Sequence, residues 1–132
     1  MLKIKATKFI DNVYYVTLWD KKHQKEFLGK CKLHEEDYDR ATRFFGYEIA
    51  ELRAYVNYYK YNLQRVKLIQ KGITDFYNKF KNNKCFNSKG YIEKKLKKEI
   101  YLYQKEINSL NNFINITKGN IVGKLKLMDK MK

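Results

Sequence analysis

Apolar and polar positions alternate over the first third of the chain. Leu2, Ile4 and Ala6 fall on one side of an extended segment, with Lys3, Lys5 and Thr7 on the other, and Val13 to Trp19 is β-branched and aromatic almost throughout. Asp11-Asn12 and Asp20 to Gln24 supply turns, and Glu26 to Leu33 reads as a third short strand. The pattern predicts a three-stranded antiparallel meander, which needs a helix over one face to be stable.

The period changes at His34. Glu35, Glu36 and Asp37 are first-turn acids suited to the positive end of a helix, and a short helix to about Phe45 is expected. Gly46 either ends that helix in a left-handed turn or is tolerated inside a continuous one. From Ile49 the spacing becomes regular: Ile49, Leu52, Val56, Tyr59, Leu63, Val66, Gln70, Ile73, Tyr77 and Phe80 follow steps of three and four, a heptad seam on a long helix. Gly72 inside it marks a bend or a close contact.

Lys81 to Lys89 is polar and turn-rich, with Asn87 or Ser88 as cap for a second helix starting near Gly90. Ile92, Leu96, Ile100, Tyr103, Ile107, Leu110, Ile114 and Thr117 form its stripe, and Gly119 is expected to stop it, leaving 119–132 as a partly ordered tail. The expected architecture is α+β: an N-terminal three-stranded antiparallel β-meander, a short helix, then a long antiparallel helical hairpin, all in one domain over 1–132.

Composition adds a charge argument. The 132 residues carry 29 Lys plus Arg against 14 Asp plus Glu, a net charge of +15, which draws a protein to phosphate polymers or other anionic surfaces. Residues 82–132 contribute +8 of it and residues 1–34 contribute +5. With four arginines among the bases and no proline, an AT-rich coding sequence accounts for such a balance equally well. Aromatics at 16% offer enough surface for a core despite 33% charged residues. No apolar run approaches a membrane span, so no membrane partner and an intracellular location are expected.

Each candidate for chemistry has a plainer explanation. Cys31-x-x-His34 has metal-ligand spacing, and His23 and Cys85 could complete a tetrahedral set, but no second close-spaced knuckle exists. Cys31 with His34 lacks a third orienting group for nucleophilic catalysis. Glu35, Glu36, Asp37 and Asp39 crowd one turn, where a solvated helix start is the commoner meaning. Gly29-Lys30 does not open a helix and is no phosphate loop. No catalytic residue, metal or cofactor is assigned. The usable feature is basic: Lys94, Lys95, Lys97 and Lys98 within one turn of the second helix, Lys105 beyond them, and Lys84 and Lys89 in the loop. They are candidate partner- or nucleic-acid-binding residues, or an ordinary solvated face. Tyr58, Tyr61, Tyr91 and Tyr101 flank the seams and either stack bases or widen the core.

Gly29-Lys30-Cys31, Glu36-Asp37, Gly46, Ile49-Ala50 and Arg53-Ala54 together resemble a pattern in small uncharacterised bacteriophage and prophage proteins: GK-x-C, an acidic pair, a glycine, then IA-x-x-RA opening a long helix. The match covers about a fifth of the chain. Leu33-His34 stands where small residues or proline often precede the acidic pair. The resemblance implies phage or mobile-element origin in a host cytoplasm, with no activity to carry over. Physically the segment reads as a junction: Gly29 admits a close approach or bulge, Ala50 and Ala54 allow tight packing beneath the sheet, and Arg53 pairs with Glu36, Asp37 or Asp39.

The expected function is non-catalytic binding of nucleic acid or of a host nucleoprotein such as a defence effector, through the lysine-rich helix and the sheet face, as in an anti-CRISPR-like inhibitor. The alternative is a homodimer or larger structural assembly joined through the heptad seam, with Gln70 setting register.

Overall fold

The computed structural model describes residues 2–34, 40–82 and 90–130, with backbone alone for Arg40 and Ala41. It contains β1 (Leu2–Ile10), β2 (Val13–Asp20), β3 (Lys25–Lys32), α1 (Arg40–Phe80) and α2 (Tyr91–Lys130). The strands form an antiparallel sheet in the order β1-β2-β3, and the two long helices pack as an antiparallel hairpin. The fold class is α+β, as the pattern predicts. Two compact units are present: Met1–Tyr59 with Phe113–Lys132, and Lys60–Asn112.

In the first unit, the β1–β2 hairpin turns on two residues. Asp11 and Asn12 both have positive φ, at 50° and 66°, the backbone of a primed turn whose twist matches the flanking strands. The Leu33 amide donates to the Asn12 carbonyl at 2.7 Å, tying the end of β3 to that turn. The β2–β3 loop is organised by Asp20, whose carboxylate is almost fully buried. It accepts the Lys22 amide at 3.0 Å and a bond from His23 Nδ1. Burial pushes the Asp20 carboxyl up, but His23 and the two loop amides more than offset this, and the net shift is downward.

The strict alternation expected of β1 breaks once. Ile4 pairs with Leu18 but Ala6 pairs with Thr17, so Lys5 is the extra residue of a β-bulge. Ala6 therefore does not share a face with Leu2 and Ile4. Past the bulge the parity of the strand is reversed: Phe9 joins the inner face, where its ring packs 4.5 Å from Tyr14, and Lys8 joins Lys3 and Lys5 outside.

The inner face of the sheet rests on α1, and the contact is closest at Gly29. A Cβ built there would stand 1.9 Å from the Ala50 carbonyl oxygen and 2.4 Å from the Ala54 nitrogen. Strand and helix thus touch backbone to backbone, which only a glycine against two alanines permits. On either side of Gly29 the Leu28 carbonyl accepts from Asn57 Nδ2 at 2.7 Å, and the Lys30 carbonyl accepts from Arg53 Nη1 at 2.8 Å. These bonds occupy carbonyls of an edge strand. Arg53 serves the strand; its expected acidic partners Glu36, Asp37 and Asp39 lie outside the described residues.

Gly46 does not end a helix, and the short helix expected before it is the first part of one 41-residue α1. A Cβ at 46 would come within 2.9 Å of a Leu33 methyl and 3.2 Å of the Tyr14 ring. The glycine is there for packing, and the helix continues because its own hydrogen bonds need no side chain. Gly119 likewise fails to stop α2, which runs on to Lys130. Ile114, Ile121 and Met128, seven residues apart, are all buried, and Lys124 pairs with Glu48 across the hairpin with its ammonium over the Phe45 ring. That apolar and ionic seam outweighs the roughly 1 kcal/mol that each of Gly119 and Gly123 costs. Tyr59 stacks on Phe113 at 5.6 Å, fixing the same antiparallel pairing.

In the second unit Gly90, with φ of +66°, precedes α2, and its carbonyl accepts the Lys94 amide at 3.1 Å. The expected caps Asn87 and Ser88 lie outside the described residues. Every α1 seam position from Leu63 to Phe80 is buried or half-buried. On α2 the inward positions include Leu96, Ile100, Tyr103, Ile107 and Leu110, but the first is Glu93 where Ile92 was expected; Ile92 is exposed. Glu93 accepts from the Tyr77 hydroxyl at 2.8 Å, and Gln70 Nε2 donates to the Ile100 carbonyl and to Gln104 Oε1, at 3.2 and 3.0 Å. Polar bonds at seam positions fix the register of this hairpin.

Two outcomes follow for stability. Gly29→Ala is expected to cost about 3 kcal/mol or more, because backbone cannot yield as a side chain can, whereas Gly72→Ala, which meets nothing within 4 Å, should gain about 0.5–1 kcal/mol; urea unfolding of both variants checks the opposite signs. Because the folded carboxyl of Asp20 titrates below its unfolded value of about 3.9, its contribution is present above that pH and lost as pH falls through the folded value. Asp20→Asn should therefore lose about 1–2 kcal/mol at neutral pH, and the difference between the two proteins should shrink as pH is lowered below about 3.9, measured by unfolding each protein across an acid pH series.

Candidate functional site

Metal and thiol chemistry have little to work with. Cys31 is buried on the inner face of β3, and burial pushes its thiol up, with Arg53 pulling the other way. His34 is exposed, His23 is engaged by Asp20, and Cys85 lies outside the described residues. Among the described residues no three His, Cys, Asp or Glu side chains converge on one point.

Of the seven candidate lysines, Lys84 and Lys89 lie outside the described residues. Lys94, Lys95, Lys97, Lys98 and Lys105 are all exposed on α2 in the second unit. At about 100° per residue, Lys94, Lys98 and Lys105 fall within about 40° of one another, roughly opposite the Leu96–Ile100–Tyr103 seam. Tyr101, 57% exposed, sits on the same line, and the Lys105 ammonium lies 4.9 Å from its ring centre. Lys97 is set apart from the others. It pairs with Glu93 at 3.1 Å and lies over the Tyr77 ring, and its hydrogen bonds to Glu93 and Tyr77 hold its ammonium above the usual lysine range. It works for the helix pair, whereas Lys94, Lys95, Lys98 and Lys105 make no ion pair with any described residue.

The four tyrosines divide. Tyr58 is half-buried, with its ring 5.4 Å from Phe27, and Tyr61 is half-buried as well; both belong to packing. Tyr91 and Tyr101 are exposed and stand away from the seam they were expected to flank.

The sheet face is expected to bind alongside the lysine-rich helix, but the sequence alone assigns none of its residues. On the outer face of the sheet, in the first unit, β1 presents Lys3, Lys5 and Lys8, and β3 presents Lys30 and Lys32 around the rings of Tyr15 and Trp19 on β2. Lys5 lies over Trp19 at 5.3 Å and Lys30 over Tyr15 at 5.7 Å. Lys5 also pairs with Glu26, the acid of this face, and both partners are about half exposed. A hollow of about 400 Å³ opens between Lys5, Lys8, Ile10, Tyr15, Thr17 and Leu28. The sequence does contain a signal for it: lysines at 3, 5 and 8 share one face only if a bulge intervenes.

No helix among the described residues is long and apolar enough to cross a membrane. No family model, curated protein or solved structure matches this chain, so its surfaces are interpreted from their own residues.

Proposed function

We propose that this is a non-catalytic, phage-type accessory protein that acts in a host cytoplasm by binding a polyanion, nucleic acid or a nucleoprotein such as a defence effector, through its basic surface. The observation that carries the reading is the line of Lys94, Lys98 and Lys105 with Tyr101 on α2, exposed, unpaired by described acids and turned away from the seam. Cations that no described acid holds release counterions from a phosphate chain without first breaking an ion pair. Inhibition of an effector by such a surface needs shape and charge and no active site.

The alternative of an assembly joined through the heptad seam finds less support. In each unit the seam positions of α1 already face α2 of the same chain, through Tyr59 and Phe113 in one and Gln70 and Gln104 in the other. Among the described residues the seam is therefore occupied by the chain's own second helix.

Replacing Lys94, Lys95, Lys98 and Lys105 together by Gln, with Lys97 left in its pairing with Glu93, should leave helicity near that of the parent and weaken binding to a labelled oligonucleotide. It should also lower the magnitude of the logarithmic salt slope by about 2–3, the loss expected for three or four phosphate contacts. Unchanged affinity and slope, measured by fluorescence anisotropy at several salt concentrations, would remove α2 from the binding surface.

A further inference from the structure

The outer face of the sheet combines features that a solvated face does not require. Tyr15 and Trp19 project from the central strand on the same side, four residues and about 13 Å apart. Each ring is flanked by lysines of a neighbouring strand, and the bulge at Lys5 brings Lys8 to this side as well as supplying one extra cation. Without it, strict alternation would place Lys8 on the inner face beside Leu2 and Ile4. The ammonium groups of Lys5 and Lys30 lie over the two rings but are long, flexible and exposed to solvent, so they can swing aside.

From this juxtaposition we infer that the outer sheet face binds single-stranded nucleic acid, with Trp19 and Tyr15 as stacking positions and Lys3, Lys5, Lys8 and Lys30 as phosphate contacts. The inference rests on the nucleic-acid form of the function proposed above and adds a second surface and a ligand class. Unpaired bases offer flat faces to a ring, whereas a duplex presents base edges in its grooves and has no face to offer. An acidic polypeptide would satisfy the lysines and leave the rings unused. Stacking a base displaces the ammonium from above the ring and leaves it beside the phosphate of the same nucleotide. The Lys5–Glu26 pair then opens, which its exposure makes inexpensive. Sequence preference is expected to be weak, since every base has a π-face and the described face bears no arginine to read base edges.

Trp19 is the single tryptophan of the chain and reports directly on the site. The experiment titrates the full chain with a 12-nucleotide thymidine strand, following Trp19 emission together with the anisotropy of a labelled copy of the strand. Parallel titrations use a duplex of the same length and polyglutamate. Expected is quenching of Trp19 over the concentration range in which anisotropy rises. Tyr15→Ala and the triple variant Lys5→Gln, Lys8→Gln, Lys30→Gln should each weaken binding about 10-fold or more while retaining the far-ultraviolet spectrum of the parent. A rise in anisotropy with no change in Trp19 emission, abolished by the α2 lysine replacements, would overturn the sheet-face site and leave the α2 reading standing. Equal quenching by duplex would overturn the single-strand assignment, and equal quenching by polyglutamate would reassign the face to an acidic protein. Absence of any binding at low salt would overturn both proposals.

Discussion

At position 29 the Ala50 carbonyl oxygen stands where a side chain would have to go, and the Ala54 nitrogen stands beside it. One hydrogen on the Gly29 Cα takes that place, so β3 lies against α1 with no side-chain layer between them. The contact is short-range and unforgiving, because neither partner can rotate out of the way as a leucine can. Around it the rest of the first unit falls into place. Arg53 and Asn57 take the carbonyls that flank Gly29, Phe27 and Cys31 are buried on either side, and Leu33 reaches the helix at Gly46, again where a glycine makes room.

Seating the sheet this closely commits the inner side of β2 and of β3 around Gly29 to the core and leaves the outer face to solvent. Val16, Leu18, Phe27 and Leu33 are buried, while the lysines of β1 and β3 and the rings of Tyr15 and Trp19 gather on the other side. The bulge at Lys5 completes the sorting by sending Phe9 inward and Lys8 outward. A similar separation of duties runs along α2 in the second unit: Leu96, Ile100 and Tyr103 are half-buried in the seam, Lys97 is spent on Glu93 and Tyr77, and Lys94, Lys98 and Lys105 remain outside. Both basic surfaces arise because the same strand or helix needs one side for packing and has nothing else to do with the other.

Much of this architecture was legible in the sequence, and the failures share a cause. The three-four spacing from Ile49 to Phe80 picked out positions of α1 that are all buried or half-buried, and Gly29 with Ala50 and Ala54 was read as a place for tight packing, which it is. In the sequence Gly46 reads as either a helix end or a glycine inside a continuous helix, and Gly119 as the end of a helix, because a glycine's backbone freedom is visible in sequence while the partner that would clash with a Cβ, or the buried residues that carry a helix past it, are tertiary facts. The reversal of face in β1 was hidden for a similar reason: a bulge is a relation between two strands, and Lys3, Lys5 and Lys8 only look irregular until β2 is placed beside them. The α2 lysines were found from composition, but their division into engaged and unengaged groups depends on Tyr77, sixteen residues before Glu93 in the chain.

The contact between Gly29 and α1 is open to direct observation by proton nuclear Overhauser spectroscopy of the uniformly labelled protein. The account predicts a strong cross-peak from a Gly29 Hα to the Ala54 amide proton, together with contacts from Asn57 and Arg53 to the backbone of Leu28 and Lys30. Absence of the Gly29–Ala54 cross-peak, with α1 contacting β1 in its place, would contradict it. The sheet would then be mounted through a different strand, and the separation of its two faces would lose its physical basis.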